Sequence, residues 1–439
     1  MKARPLKVNM VTLGCSKNTV DSEFLGGRLK EAGCQVVHEQ DATSADAVII
    51  NTCGFILDAK EESIETILQY SQLRKDGRIS NLIVMGCLSQ RYRQELMDEI
   101  AEVDLFAGVN EEDRIVAHLV PGYQAALGLP PRVRITPAHY AYLKVSEGCD
   151  RRCAFCAIPL IRGRHQSRSR DEIRQDALQL LDSGAREILL VAQELTSYGK
   201  DIYGKPVLPV LLDELMSLPG DFWLRLHYAY PNGVTTALLD RLARHPRICN
   251  YLDVPLQHIN DAVLRSMKRG HGRKKLYALM DKVRSDYPEL AVRTTFIVGY
   301  PGETAAAFEE LLSFVETYRF ERLGAFAYSH EEGTPAYRLP DDVPEEVKME
   351  RLSRLMAVQE DISYELNQQF VGKQMRVLVD ELLPDGSFLA RTAMDSPEID
   401  NSVQIRPHPG LKVGEFALVQ VEAATAFDLE ARFIPTFDI

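Results

Sequence analysis

The chain has 439 residues, 45% hydrophobic and 26% charged, enough for two to four cores and ordinary for a globular protein. No apolar run approaches the roughly 20 residues of a membrane helix, and Lys7 and Asn9 interrupt any leader before the lipoprotein-like Thr12-Leu13-Gly14-Cys15, so a cytoplasmic protein without a membrane partner is expected. A net charge of -12 disfavours a polyanionic partner and suits a basic one, while eight cysteines without a secretion signal point to metal or redox chemistry.

Residues 6–121 alternate short apolar runs with helical patterns, the signature of parallel βαβ units in an open sheet. Val8 to Leu13 precedes a helix pattern through Val20, Phe24 and Leu29 that Gly33 ends. Ala47 to Ile50 precedes a helix from Asp58 to Tyr70, and Leu82 to Met85 precedes another. Cys15, Cys53 and Cys87 stand just past these three runs. Carboxyl ends of parallel strands share one edge, so three thiols distant in sequence should meet there. Each taken singly fits a small buried hydrophobe equally well. The shared placement, in Leu-Gly-Cys15, Asn-Thr-Cys53-Gly and Met-Gly-Cys87, favours a three-thiolate metal cluster. Cys34 and Cys249 show no such pattern and read as structural.

Pro121-Gly122 and Pro130-Pro131 mark a linker into a second βα series over residues 135–372. Its candidate strands are 141–146, 187–192, 222–228, 251–255, 292–298 and 322–328, which predict a partial (βα)6 barrel with its site at the strand carboxyl ends. Gln193, Arg225, Tyr228 and Gln257 lie near those ends and are the candidate cofactor-binding residues. Cys149-Asp-Arg-Arg-Cys153-Ala-Phe-Cys156 follows the first of these strands. Three close thiolates on a short loop suit one face of an iron-sulfur cubane and leave one iron open. A zinc knuckle is the alternative, but zinc usually takes a fourth nearby ligand, and His165 lies beyond the loop. Gly299-Tyr-Pro-Gly-Glu303 could let backbone approach a nucleoside, and the basic run Arg162 to Arg170 could grip phosphate or stay solvated.

Pro344 opens a long helix pattern ending by Gly372, and residues 373–439 then change to short strands with turns at Pro384-Asp385-Gly386 and Pro409-Gly410, which predicts a small antiparallel barrel.

These motifs together resemble the methylthiotransferase family of radical S-adenosylmethionine enzymes over nearly the whole chain. The resemblance rests on Leu-Gly-Cys15-Ser-Lys-Asn, Asn-Thr-Cys53-Gly-Phe-Ile, Gly-Cys87-Leu, Glu-Gly-Cys149 through Cys156 with Ile158-Pro159, and Arg225-Leu-His-Tyr-Ala-Tyr-Pro231. Asp253 through His258, Thr295 through Thr304 and Ser396-Pro-Glu-Ile-Asp400 extend it. It implies an auxiliary four-iron four-sulfur cluster on Cys15, Cys53 and Cys87, a radical-generating cluster on Cys149, Cys153 and Cys156, S-adenosylmethionine as cofactor, an external electron donor, and a C-terminal TRAM-like barrel. One branch of the family modifies the β-carbon of an aspartate in the small-subunit ribosomal protein number twelve, and another modifies an adenosine of transfer RNA. The tail carries six basic against eleven acidic residues, so a basic protein drawn to an acidic barrel is expected over RNA. A transfer-RNA enzyme and a non-catalytic zinc-binding ribosome or RNA adaptor are the rival readings.

Overall fold

The computed structural model describes residues 4–40, 45–124, 128 and 130–435. The chain forms two compact units: Met1–Pro137, Tyr142–Arg151 and Cys156–Gln166 make one, while Ala138–Ala141, Arg152–Phe155 and Ser167–Ile439 make the other. Among the described residues no helix is long and apolar enough to cross a membrane.

In the first unit β1 (Lys7–Thr12), β2 (Gln35–His38), β3 (Ala47–Thr52), β4 (Asn81–Gly86) and β5 (Leu105–Phe106) form a five-stranded sheet in the order β2-β1-β3-β4-β5, with every pairing parallel. Three strands match the expected runs; the short edge strands β2 and β5 lack an extended apolar run and were not expected. Alternate residues of each central strand serve opposite cores. Val8, Met10, Ile49, Ile83 and Met85 pack with Leu25 and Leu29 of α1 (Ser16–Glu31). Val11, Val48, Ile50, Leu82 and Val84 pack with Ile67 of α2 (Leu57–Lys75). A sheet covered on both faces needs continuous apolar strands, which is why these runs are so plain in the sequence. The expected linker is not loose. Pro131 lies so close to Gly27 of α1 that a side chain at Gly27 would meet its carbonyl, and buried Glu23 pairs with Arg132 and accepts from the backbone N–H of Ile135 at 3.0 Å.

The six expected barrel strands are present as β6 (Tyr140–Lys144), then, after the two-residue pair β7 (Ser146–Glu147) and β8 (Gln166–Ser167), β9 (Glu187–Val191), β10 (Trp223–Leu226), β11 (Tyr251–Asp253), β12 (Ala291–Val298) and β13 (Arg322–Ala327). Their ladders run in two halves, β6-β9-β10 and β11-β12-β13, joined by a parallel bridge from Leu224 to Ile248. The strand expected over 222–228 stops at Leu226, because Tyr228 has a φ of +64° that an extended ladder cannot continue. Helix Glu345–Gln368 follows as expected, with Pro344 at its N-cap.

The tail is a closed five-stranded barrel of β14 (Gln374–Leu382), β15 (Phe388–Thr392), β16 (Ser402–Ile405), β17 (Phe416–Ala424) and β18 (Asp428–Phe433), in the order β14-β15-β16-β18-β17. The expectation of a purely antiparallel barrel is corrected at one seam, since β16 and β18 pair in parallel. Closure brings the last strand, β18, beside β16, and the rest of the predicted tail, residues 436–439, lies outside the described residues.

A loop of this barrel, residues 393–400, reaches the strands of the partial barrel. Arg225 pairs with Glu187, both wholly buried, and donates to the carbonyl of Ala393 at 2.9 Å. Arg322 holds Asp395, Arg293 Nε and the Tyr251 hydroxyl hold Asp400 at 3.2 and 2.6 Å, and Ser396 Oγ lies 2.9 Å from His227 Nε2. Arg391 bridges Glu187 and Asp380, and His139 also meets Asp380. Glu187, Tyr251 and Arg322 each begin their strand, so the loop fills the amino-terminal end of the barrel. Burial alone would raise the Asp380 carboxyl, but the bond to His139 and the charge of Arg391 outweigh it and hold it below the usual carboxylate range. Stability from such a depressed carboxylate is present above the ordinary range and is lost as pH falls through the lowered value. Asp380→Asn should therefore cost about 1.5–3 kcal/mol at neutral pH, with the difference shrinking once the pH falls below about 4. Urea denaturation of both proteins across this range measures it, and a gap independent of pH would contradict the assignment.

Candidate functional site

The three N-terminal thiols follow the carboxyl ends of adjacent strands β1, β3 and β4, with Cys87 opening α3 (Cys87–Arg91). Glycine lets the loops close on one another. A side chain at Gly14 would put its Cβ 2.7 Å from Cys53 Cβ, and one at Gly54 would stand 2.6 Å from Leu88 Cα and 2.9 Å from the carbonyl carbon of Cys87. Gly86, at φ +97°, sits where a Cβ would meet Asn51 and Thr52. Asn18 sews the loops together: its amide donates to the carbonyls of Leu13 and Thr52 at 2.8 and 3.1 Å. Ser63 does the same for Cys53, receiving from its N–H at 3.1 Å and donating to its carbonyl at 3.0 Å.

The trio is graded in exposure, with Cys15 open, Cys53 half-buried and Cys87 buried. Cys15 and Cys53 both act electrostatically on Cys87. Burial pushes the Cys87 thiol up to about 12, while the nearby Arg162 guanidinium pulls it back, and burial also raises Cys53. Arg162 Nε lies 3.4 Å from Cys87 Sγ and its Nη2 donates to Asn18 at 2.6 Å. Arg162 also pairs with Asp21 and Glu147, which Lys144 shares. Three thiols on adjoining loops with an N–H donor aimed at one of them fit a thiolate-bound cluster, since coordination removes the thiol proton that burial otherwise retains.

Cys149, Cys153 and Cys156 occupy one eight-residue loop flanked by β7 and β8. Gly148, at φ +70°, passes so near Arg164 that a Cβ would lie 2.1 Å from its carbonyl oxygen, and Cys149 N–H donates to the Gly163 carbonyl at 3.1 Å. Ala154 is held by backbone bonds to Met267 and Ala336 at 2.9 and 2.8 Å. Arg269 donates to Cys153 Sγ at 3.3 Å. Ala157, next to Cys156, packs with Ile161 against Cys87.

Residues 7–108 match uncharacterized protein family UPF0004, residues 143–315 the radical SAM superfamily and residues 371–434 the TRAM domain. The ribosomal protein uS12 methylthiotransferase RimO of Flavobacterium psychrophilum is 48% identical over 424 residues, covering 96% of this chain and 97% of the relative. The chain belongs to the RimO family of ribosomal protein uS12 methylthiotransferases. The RimO of Christiangramia forsetii agrees, at 47% identity over 98% of this chain and 95% of its own. Membership makes the chain a radical SAM methylthiotransferase, and that superfamily implies S-adenosylmethionine and a four-iron four-sulfur cluster. In fold alone it is similar to the radical S-adenosylmethionine methyltransferase TsrM of Kitasatospora setae, at TM-score 0.56 and 15% identity over 76% of this chain and 77% of that one.

Within the RimO-family barrel, Gln193, Tyr228 and Gln257 stand past the carboxyl ends of β9, β10 and β11, each half-buried. Tyr228 and Gln257 have φ of +64° and +74°, a region costly for such side chains. Tyr228 N–H donates to Asp253 at 2.9 Å, and Gln257 is pinned by backbone bonds to Thr295 and Ile297, both at 2.8 Å. Arg225 does not join them. Its guanidinium is committed to Glu187 and the tail loop, because its side chain points from mid-strand into the barrel interior.

Two other stretches singled out in the sequence are tied into the packing. The basic run is divided among separate carboxylates, Arg162 in the buried network, Arg168 with Asp176 and Arg170 with Glu214, while Arg164 stays exposed beside Asp150. Gly299 is needed because a Cβ there would lie 2.3 Å from Lys348 of the long helix, and Glu303 accepts from Gly299 N–H and pairs with Arg351, with His258 Nε2 3.3 Å away. That turn therefore also serves as a packing joint with the long helix.

The roles of Asn18, Arg162 and Arg269 beside the thiols went unrecognised in the sequence, where Arg162 was read only as part of the basic run. Only Asn18 carried a signal, as the last residue of Leu-Gly-Cys15-Ser-Lys-Asn. Gly54→Ala should displace the Cys87 loop and lower the iron and sulfide bound by anaerobically reconstituted protein by about half, while Glu61→Ala, at an exposed position of α2, should not. Equal iron in both variants would count against convergence of the trio on a cluster.

Proposed function

We propose that this chain adds a methylthio group to the β-carbon of an aspartate in ribosomal protein uS12, with two four-iron four-sulfur clusters and S-adenosylmethionine. The observation that carries the reading is near-complete alignment with RimO relatives by a chain whose three N-terminal thiols stand on adjoining loops after adjacent strands. Cys15, Cys53 and Cys87 would hold the auxiliary cluster, and Cys149, Cys153 and Cys156 the cluster that binds S-adenosylmethionine. Together these groups, when bound, supply a carbon-centred radical that can take hydrogen from an unactivated C–H bond and a sulfur to replace it. The chain's own residues position and shield. Tyr228 and Gln257, held in costly backbone conformations by Asp253 and β12, would orient the nucleoside together with Gln193. Asn18, Ser63 and the three glycines would hold the auxiliary ligands in register.

The acidity of the tail supports the substrate choice less than its composition suggests. Asp380, Asp395 and Asp400 are used in internal pairs with Arg391, Arg322 and Arg293. Family membership therefore carries the choice of uS12. Reconstituted protein incubated with methyl-labelled S-adenosylmethionine, uS12 and transfer RNA should label uS12 alone. Replacing Cys15, Cys53 and Cys87 together by Ala should abolish that labelling while cleavage of S-adenosylmethionine persists. Label in transfer RNA would overturn the substrate, and labelling of uS12 by the triple variant would overturn the auxiliary role.

A further inference from the structure

Two buried arginines each donate to one sulfur of a cysteine trio, and their surroundings differ. Arg162, beside Cys87, sits among two carboxylates and one ammonium, Asp21, Glu147 and Lys144, so its charge is balanced locally. Arg269, beside Cys153, is 5% exposed. It follows Lys268, whose φ of +55° turns the chain after helix Asp261–Ser266. Its Nη1 donates to Cys153 Sγ at 3.3 Å and its Nη2 to the Pro255 carbonyl at 2.7 Å, and the guanidinium lies over the Tyr230 ring, 4.5 Å from the centroid. Among the described residues no carboxylate pairs with it, and its buried Nε finds no acceptor. An arginine stays charged, and a buried charge without a counter-ion is costly to the fold. The fold keeps it nonetheless, aimed at a sulfur.

We propose that Arg269 is the fixed counter-charge of the radical-generating cluster and raises that cluster's reduction potential through its hydrogen bond to Cys153. The proposal rests on the reading of Cys149, Cys153 and Cys156 as cluster ligands. Three thiolates on a four-iron four-sulfur core give it a net negative charge, which grows by one when it accepts an electron from a one-electron donor. No proton need move. An adjacent uncompensated cation stabilises the more negative, reduced form, and hydrogen bonds to ligating sulfur act in the same direction. Arg162 exerts less of this effect at the other trio, because Asp21 and Glu147 oppose its field.

The test uses the full chain, reconstituted anaerobically, with iron and sulfide counted first. A dithionite redox titration followed by electron paramagnetic resonance separates two signals, one of which changes on addition of S-adenosylmethionine. Arg269→Gln should lower the midpoint of that responsive signal and leave the other unmoved, and Arg269→Lys, which keeps the charge, should shift it less. Should the Gln variant fail to hold iron, unsubstituted protein grown with guanidinium-15N arginine decides: the responsive signal should carry a hyperfine coupling to arginine nitrogen that the Lys variant lacks. An unmoved midpoint in iron-replete Arg269→Gln, equal shifts in the Gln and Lys variants, or no such coupling would overturn the proposal. Iron and sulfide enough for a single cluster, with no signal responsive to S-adenosylmethionine, would overturn instead the reading on which it rests.

Discussion

Parallel strand pairing is the constraint on which this molecule depends. It sends every carboxyl end to the same edge, so side chains tens of residues apart become neighbours without any local signal between them. In the N-terminal sheet this brings the loops after β1, β3 and β4 together, and the glycines at 14, 54 and 86 remove the Cβ atoms that would keep them apart. The second βα series uses the same rule for Gln193, Tyr228 and Gln257. A thiolate trio needs three converging loops, and three parallel strands are a low-cost way to supply them.

Charge buried in the interior does the second part of the work. Arg225, Arg322 and Arg293 point into a barrel of only six strands, whose amino-terminal end receives a loop of the tail barrel bearing Asp395 and Asp400. Removing either side of such a pair strands a charge, which makes the tail barrel's seat on these strands specific. The same demand takes acids away from the surface, so a composition that reads as an attractive field is partly an internal scaffold. In the N-terminal unit Arg162, Lys144, Asp21 and Glu147 form a closed set of opposite charges against Cys87, and Asn18 ties that set to the loops carrying the thiols.

The sequence by itself determined the elements whose patterns repeat: central strands covered on both faces, six barrel strands with their helices, the long helix after Pro344, and the six cysteines at strand ends. These are legible because burial on two faces demands continuous apolar runs and because ligand spacing within one loop is a covalent matter. Tertiary structure alone decided what lone polar residues do. Arg225 looked like a cofactor contact and became a strut for the tail, since the direction of a mid-strand side chain depends on what fills the barrel. Gly299 makes room for Lys348 of the long helix, a demand that no local pattern announces. The parallel seam between β16 and β18, the division of the basic run among separate carboxylates, and the placing of Arg162 and Arg269 against sulfur all pair residues far apart in the chain, and long-range pairing leaves no period or spacing to read.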